Sequence, residues 1–240
     1  AGQNKVVTAN IDIYERYVQI QTKSSIDAKT IKVLNPKEVV FEGGRELELD
    51  AVSEVPRYYV CNAYGVCGIY SAPGTAVKEA YDTSGIVTND RGVTVWLKGN
   101  RVSRNQIMAI KEESVTEQKN SLAVCLDNIL RHAGITRNTE YDLAQGKTAT
   151  TILSENMTGV QVLDLSGCTL DAVLYYVNQD IPVLAILEDG EAVLVTGFNE
   201  FNVVIMEPAT GKLYKKGMND ATAWFAENGN HFITYMRIEN

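Results

Sequence analysis

Apolar and polar positions alternate in short runs over residues 1 to about 55: YVQIQT, IKVL, EVVFEG and ELELDAV, punctuated by Lys, Ser, Asn-Pro and Gly-Gly. Alternation of this length predicts antiparallel strands, because successive side chains of a strand point to opposite faces. From residue 57 to about 110 the order changes. YYVCNA and VCGIYS read as strands, APGTAVKEAYDTSG as a helix opened by Pro73, and GIVTN and VTVWLKG as two more strands. Ala76, Val77, Ala80 and Tyr81 recur at helical spacing, and Gly85 is placed to end the helix. The pattern predicts a small strand-strand-helix-strand-strand module.

The charged stretch KEESVTEQKN at 111–120 reads as a linker or a helix lead-in. After it, SLAVCLDNILRHAG places Leu122, Cys125, Leu126, Ile129 and Ala133 on one helical face and stops at Gly134. TEYDLAQG and TLDAVLYYVNQ predict two further helices. Strands follow in PVLAIL, EAVLVTGF, NVVIMEP and KLYKKG, then a helix in NDATAWFAENG and a last strand in HFITYMR. Helices first and an antiparallel sheet afterwards is the order of a segregated α+β domain. Two domains are expected: a strand-rich region over 1–113 that contains the module at about 57–110, and an α+β domain over 114–240.

Composition narrows the function classes. A 240-residue chain with 45% hydrophobic residues can bury a substantial core, and its net charge of -8 argues against a surface that tracks nucleic-acid phosphates. The longest apolar runs, PVLAIL and NVVIM, are far short of the roughly 20 residues that cross a bilayer. The opening AGQNKVVT, without Met, reads as a processed or excised piece of something longer. Of the four cysteines, Cys61 and Cys67 flank a turn between two Tyr- and Val-rich segments, which suits either a cross-hairpin disulfide or a pair of half-buried thiols. A disulfide there would favour an extracytoplasmic location. No CxxC motif or His pair accompanies them, so neither zinc nor any other metal or cofactor is expected.

Residues 114–240 resemble the papain-like cysteine peptidases of the double-glycine bacteriocin-leader type and their secreted relatives. The matching stretches are SLAVCLDNILRHAGI, LDLSGCTLDAVLYYVNQDIPVLAIL, GEAVLVTGFN and VVIMEPATG, in family order. In that family a Cys-Gly-Pro opens the first long helix, a His opens a strand in a Gly-His-x-Val-x-Val-x-Gly-Tyr pattern, and an Asp-Pro follows one strand later. The resemblance puts Ser121 in the slot of the nucleophile, Glu191 in that of the histidine and Glu207 in that of the aspartate. Val115 stands where an oxyanion-hole glutamine is usual, and Gln118 lies too close to the helix start to replace it.

Those substitutions change the chemistry. A serine hydroxyl is a poor nucleophile unless a neighbouring base takes its proton, and a carboxylate, a weak acceptor at neutral pH, cannot return that proton to a leaving amine as an imidazolium does. A Ser-Glu-Glu set is therefore a poor engine for acyl transfer. Cys125 and His132 share one helix about 10 Å apart along its axis, too far for a thiol-imidazole hydrogen bond. Cys125 fits a core position, His132 a helix C-terminus, and Cys168 either a helix N-terminus that would stabilise a thiolate or a buried thiol. His231 opens the final strand and is either solvated or able to swing towards the cleft. Glu191 and Glu207 would make the former cleft acidic, or are ordinary solvated carboxylates.

The segment YYVCNAYGVCGIYSAPGTAVKEAYDTSGIVTNDRGVTVWLKGNR is similar to the SPOR-type modules of bacterial envelope proteins, which implies peptidoglycan binding. Trp96, with Lys98 and Arg101 nearby, is then either a sugar-stacking platform or a tryptophan packed on its own domain. The expected protein is a bacterial, secreted or cell-surface, non-catalytic papain-like pseudopeptidase that binds a peptide, a peptidoglycan component or a host protein such as an immunoglobulin through Ser121, Glu191, Glu207 or Trp96. The alternative is an active cysteine or serine peptidase with a nonstandard dyad.

Overall fold

A computed structural model of the protein describes the backbone of residues 31–35, 38–41 and 45–48, together with residues 56–99 and 120–238. The chain divides into two compact units, Ala1–Glu54 and Val55–Asn240. In the first, β1 (Ile31–Asn35), β2 (Glu38–Phe41) and β3 (Arg45–Glu48) form an antiparallel sheet in the order β1-β2-β3. These are three of the four runs whose alternation predicts strands. YVQIQT lies outside the described residues, as do residues 100–119.

The second unit begins with the expected module: β4 (Tyr58–Cys61), β5 (Cys67–Tyr70), α1 (Pro73–Thr83), β6 (Ile86–Asn89) and β7 (Thr94–Leu97). Its four strands pair antiparallel in the order β5-β4-β6-β7. Pro73 occupies the first turn of α1, where its missing N–H costs nothing and its fixed φ suits the helix. The helix ends at Ser84, which takes the left-handed conformation at φ 55° and returns its N–H to the Ala80 carbonyl. Gly85 has another reason to be glycine: a Cβ there would fall 3.0 Å from the Cys61 carbonyl oxygen.

The remainder runs α2 (Ser121–His132), α3 (Glu140–Ala144), α4 (Ala149–Asn156), β8 (Val160–Asp164), α5 (Leu170–Asn178), β9 (Val183–Ile186), β10 (Ala192–Phe198), β11 (Asn202–Met206), β12 (Leu213–Gly217), α6 (Met218–Glu227) and β13 (His231–Arg237). The sheet has six antiparallel strands in the order β12-β11-β10-β9-β13-β8. Strand β10 is buried at every position, and both α2 and α5 pack against it. The architecture is α+β, with helices packed on an antiparallel sheet. Two elements escape the sequence pattern. In α4 three β-branched residues, Thr150, Thr151 and Ile152, dilute the helical signal, and the element is started by the Thr148 side chain, which accepts from the Thr151 amide. Strand β8 is short and only partly buried.

The module and the following α+β region share one hydrophobic core. The indole N–H of Trp96 donates to the Ala172 carbonyl at 3.0 Å, and the Tyr176 hydroxyl donates to the Val95 carbonyl at 3.1 Å. Beside them, Asn89 donates to the Gln161 side chain, which donates in turn to the Tyr58 hydroxyl, and the Tyr81 hydroxyl donates to Asp171. Helix α1 approaches the β8–α5 loop so closely that a Cβ on Gly74 would fall 2.9 Å from the Ser166 carbonyl oxygen. Segments on either side of the expected boundary at 113/114 thus complete each other's interior.

Candidate functional site

Helix α2 starts where Asn120 turns its side chain back to accept from the Leu122 amide at 2.8 Å, satisfying one of the orphan donors of a helix N-terminus. Ser121 follows as the first helical residue and is buried. Its Oγ accepts the backbone N–H of Ala192 at 3.0 Å. Ala192 opens β10 and is bonded to Glu191, so the helix start and the strand start that the resemblance pairs are in direct contact.

Glu191 is exposed on a tight turn. Its N–H donates to the Asp189 carboxylate at 3.0 Å, its carbonyl accepts from Leu187, and Gly190 between them takes φ +84°, a value that favours glycine. Glu207 follows β11, and because Leu194 pairs with Met206 it lies at the same end of the sheet as Glu191. Its carboxylate accepts from the Thr210 hydroxyl at 2.9 Å within its own loop. The two glutamates therefore share an end of the sheet, but the bond that occupies Glu207 is local.

The sequence contains two histidines, and neither reaches Ser121 or Cys125. The ring of His132 lies 3.0 Å from the Asp180 carbonyl at the C-terminal end of α2, about 16 Å along the axis from Ser121. His231 is two strands from Ala192: it pairs with Ile186 of β9, which pairs with Ala192, a separation of about 10 Å at ordinary strand spacing. Its ring lies back over Gly229, where a Cβ would fall 2.8 Å from Nε2.

Both free cysteines are buried. Burial pushes the Cys125 thiol well above its ordinary range, and the nearby Glu191 charge adds to the effect. Cys168 is pushed up to about 12, mainly by burial, with Lys78 opposing and Asp164 reinforcing the shift. Its Sγ donates to the Gly74 carbonyl at 3.3 Å. Of the two readings open for Cys168, the buried thiol is the one found, and Cys125 takes its place in the apolar stripe of α2.

Trp96 requires a correction. It is 2% exposed and packs between Tyr81 and Tyr175, with ring centroids 6.1 Å from each. A side chain so enclosed offers no face to a sugar; its partner is the interior of its own unit. Cys61 and Cys67, by contrast, form the expected disulfide, at directly paired positions of β4 and β5 with Cα atoms 4.2 Å apart. The intervening turn is held by Asn62, whose side-chain oxygen accepts from the Tyr64 and Val66 amides.

Among the described residues no group of three or more His, Cys, Asp or Glu side chains could hold a metal ion, and no helix is long and apolar enough to cross a membrane. Val115 and Gln118 lie outside the described residues. The signal that sequence reasoning passed over is Asn120: Asn immediately before an apolar-periodic run marks a helix N-cap and would have located Ser121 at the first helical position.

No protein-family model matches this sequence, and no curated protein does. Among solved structures the chain is similar to one from Bacillus anthracis described as a C39-like peptidase, at 12% sequence identity and a TM-score of 0.47. That match covers 57% of this chain and 100% of the other. Likeness of this degree says nothing about activity.

Proposed function

We propose that this chain is a secreted or cell-surface bacterial binding protein built on a papain-like peptidase scaffold that lacks a catalytic set, and that its cleft engages an extended peptide segment. The observation that supports this reading is the bond from the Ala192 amide to Ser121 Oγ. At the place where a peptidase of this family needs a nucleophile and an imidazole, the hydroxyl oxygen instead fastens α2 to β10. A serine that attacks a carbonyl must pass its proton to an adjacent base, and both histidines are held elsewhere. The Cys61–Cys67 disulfide supports a location outside the reducing cytoplasm. Glu191, exposed beside the turn carboxylate of Asp189, favours basic side chains in the bound segment.

The test is incubation of the folded protein with a broad peptide library and with thiol- and serine-directed activity probes, reading both cleavage and covalent labelling. Silence on both is expected. Labelling of Ser121 or Cys125 together with cleavage would overturn the reading in favour of a peptidase with a nonstandard dyad. In parallel, binding to immobilised basic peptides, peptidoglycan fragments and immunoglobulin is compared between the native protein and Glu191→Lys. Peptide binding weakened by Glu191→Lys supports a ligand in the cleft; binding indifferent to that change, or confined to peptidoglycan or immunoglobulin, removes the peptide assignment.

A further inference from the structure

We draw no further inference here: the strongest candidate, the exposed apolar face of the four-stranded sheet formed by Ile69, Ile86 and Leu97 beside the Cys61–Cys67 disulfide, with Tyr64 and Val66 at its hairpin tip, carries nothing because nothing in the structure shows what covers it.

Discussion

Ser121 Oγ accepts the backbone N–H of Ala192 at 3.0 Å, across 71 positions of sequence. The bond joins the first residue of α2 to the first residue of β10, and both residues are buried. It makes Ser121 a fastening between helix and sheet, and five predictions test that role and the unit around it.

Replacing Ser121 by Ala removes the acceptor and strands a buried amide. The expected cost is about 1–3 kcal/mol of folding stability, the usual penalty for orphaning a buried donor. Urea unfolding of the two proteins measures it. Stability unchanged within error would mean that the Ala192 amide finds another partner and that the serine does not fasten the two elements.

Installing the family's own residues tests the assignment of the slots. Ser121→Cys alone creates a thiol that has no basic partner; Ser121→Cys combined with Glu191→His places an imidazole on the residue next to Ala192. The double variant is expected to alkylate at residue 121 several-fold faster at neutral pH than the single one, because a nearby imidazolium lowers a thiol pKa. Equal rates would show that position 191 does not face position 121.

Trp96→Ala removes a large buried side chain together with its hydrogen bond to Ala172. A loss of about 3–5 kcal/mol is expected from the emptied volume. Trp96→Phe keeps most of the packing and isolates the polar contribution, expected at about 1 kcal/mol. Thermal or denaturant unfolding distinguishes the two. A Trp96→Ala protein as stable as the native one would contradict the shared core between the module and α5.

The buried thiols impose a pH dependence whose sign can be worked out. In the unfolded chain Cys168 ionises near its ordinary 9.0, whereas in the folded protein burial holds it at about 12. Between those values the unfolded chain has released a proton that the folded one retains, so stability is fully present below pH 9 and falls as pH rises towards 12. Cys125 and Tyr176, both raised chiefly by burial, act in the same direction. Denaturant midpoints measured from neutral pH upward should decline, and Cys168→Ala should flatten the decline. In the native state neither Cys125 nor Cys168 should react with a thiol reagent at mildly alkaline pH, and both should do so on unfolding. Rapid native-state labelling would show that these sites open readily.

Reduction of the Cys61–Cys67 bond should have a modest effect. Loop-closure entropy for so short a loop contributes about 2 kcal/mol, and Asn62 continues to hold the turn through its two side-chain hydrogen bonds. A lowered unfolding midpoint in reductant, with the native circular dichroism otherwise retained, is the expected result. Collapse of the whole second unit would mean that the hairpin contributes more to the core than its exposed cysteines suggest.

Helix α2 was legible because Leu122, Cys125, Leu126 and Ile129 carry a 3.6-residue period that any apolar surface can cover, and Cys125 and Ile129 are indeed fully buried. The strands from β9 to β11 were legible for a comparable reason, since short apolar runs bounded by Gly, Asn and Pro have few other ways to bury themselves. The same local signals carried the order of elements in the module and narrowed Cys61 and Cys67 to a cross-hairpin disulfide or a pair of half-buried thiols; the register that sets them directly opposite each other decided for the bond. They could not decide what lies opposite each apolar face. Trp96 lies in a run of three apolar residues, Val95 to Leu97, that does not say which side is inner, and only the arrival of Tyr175 and the Ala172 carbonyl made it a core residue instead of a surface platform. Nor could they assign the Ser121 hydroxyl, because a side chain at a helix start bonds to whichever backbone group the tertiary packing delivers, and here that group is the amide of Ala192. Periodicity records the chemistry of a face; long-range packing chooses its partner, and with it whether a polar group is free for chemistry or committed to the fold.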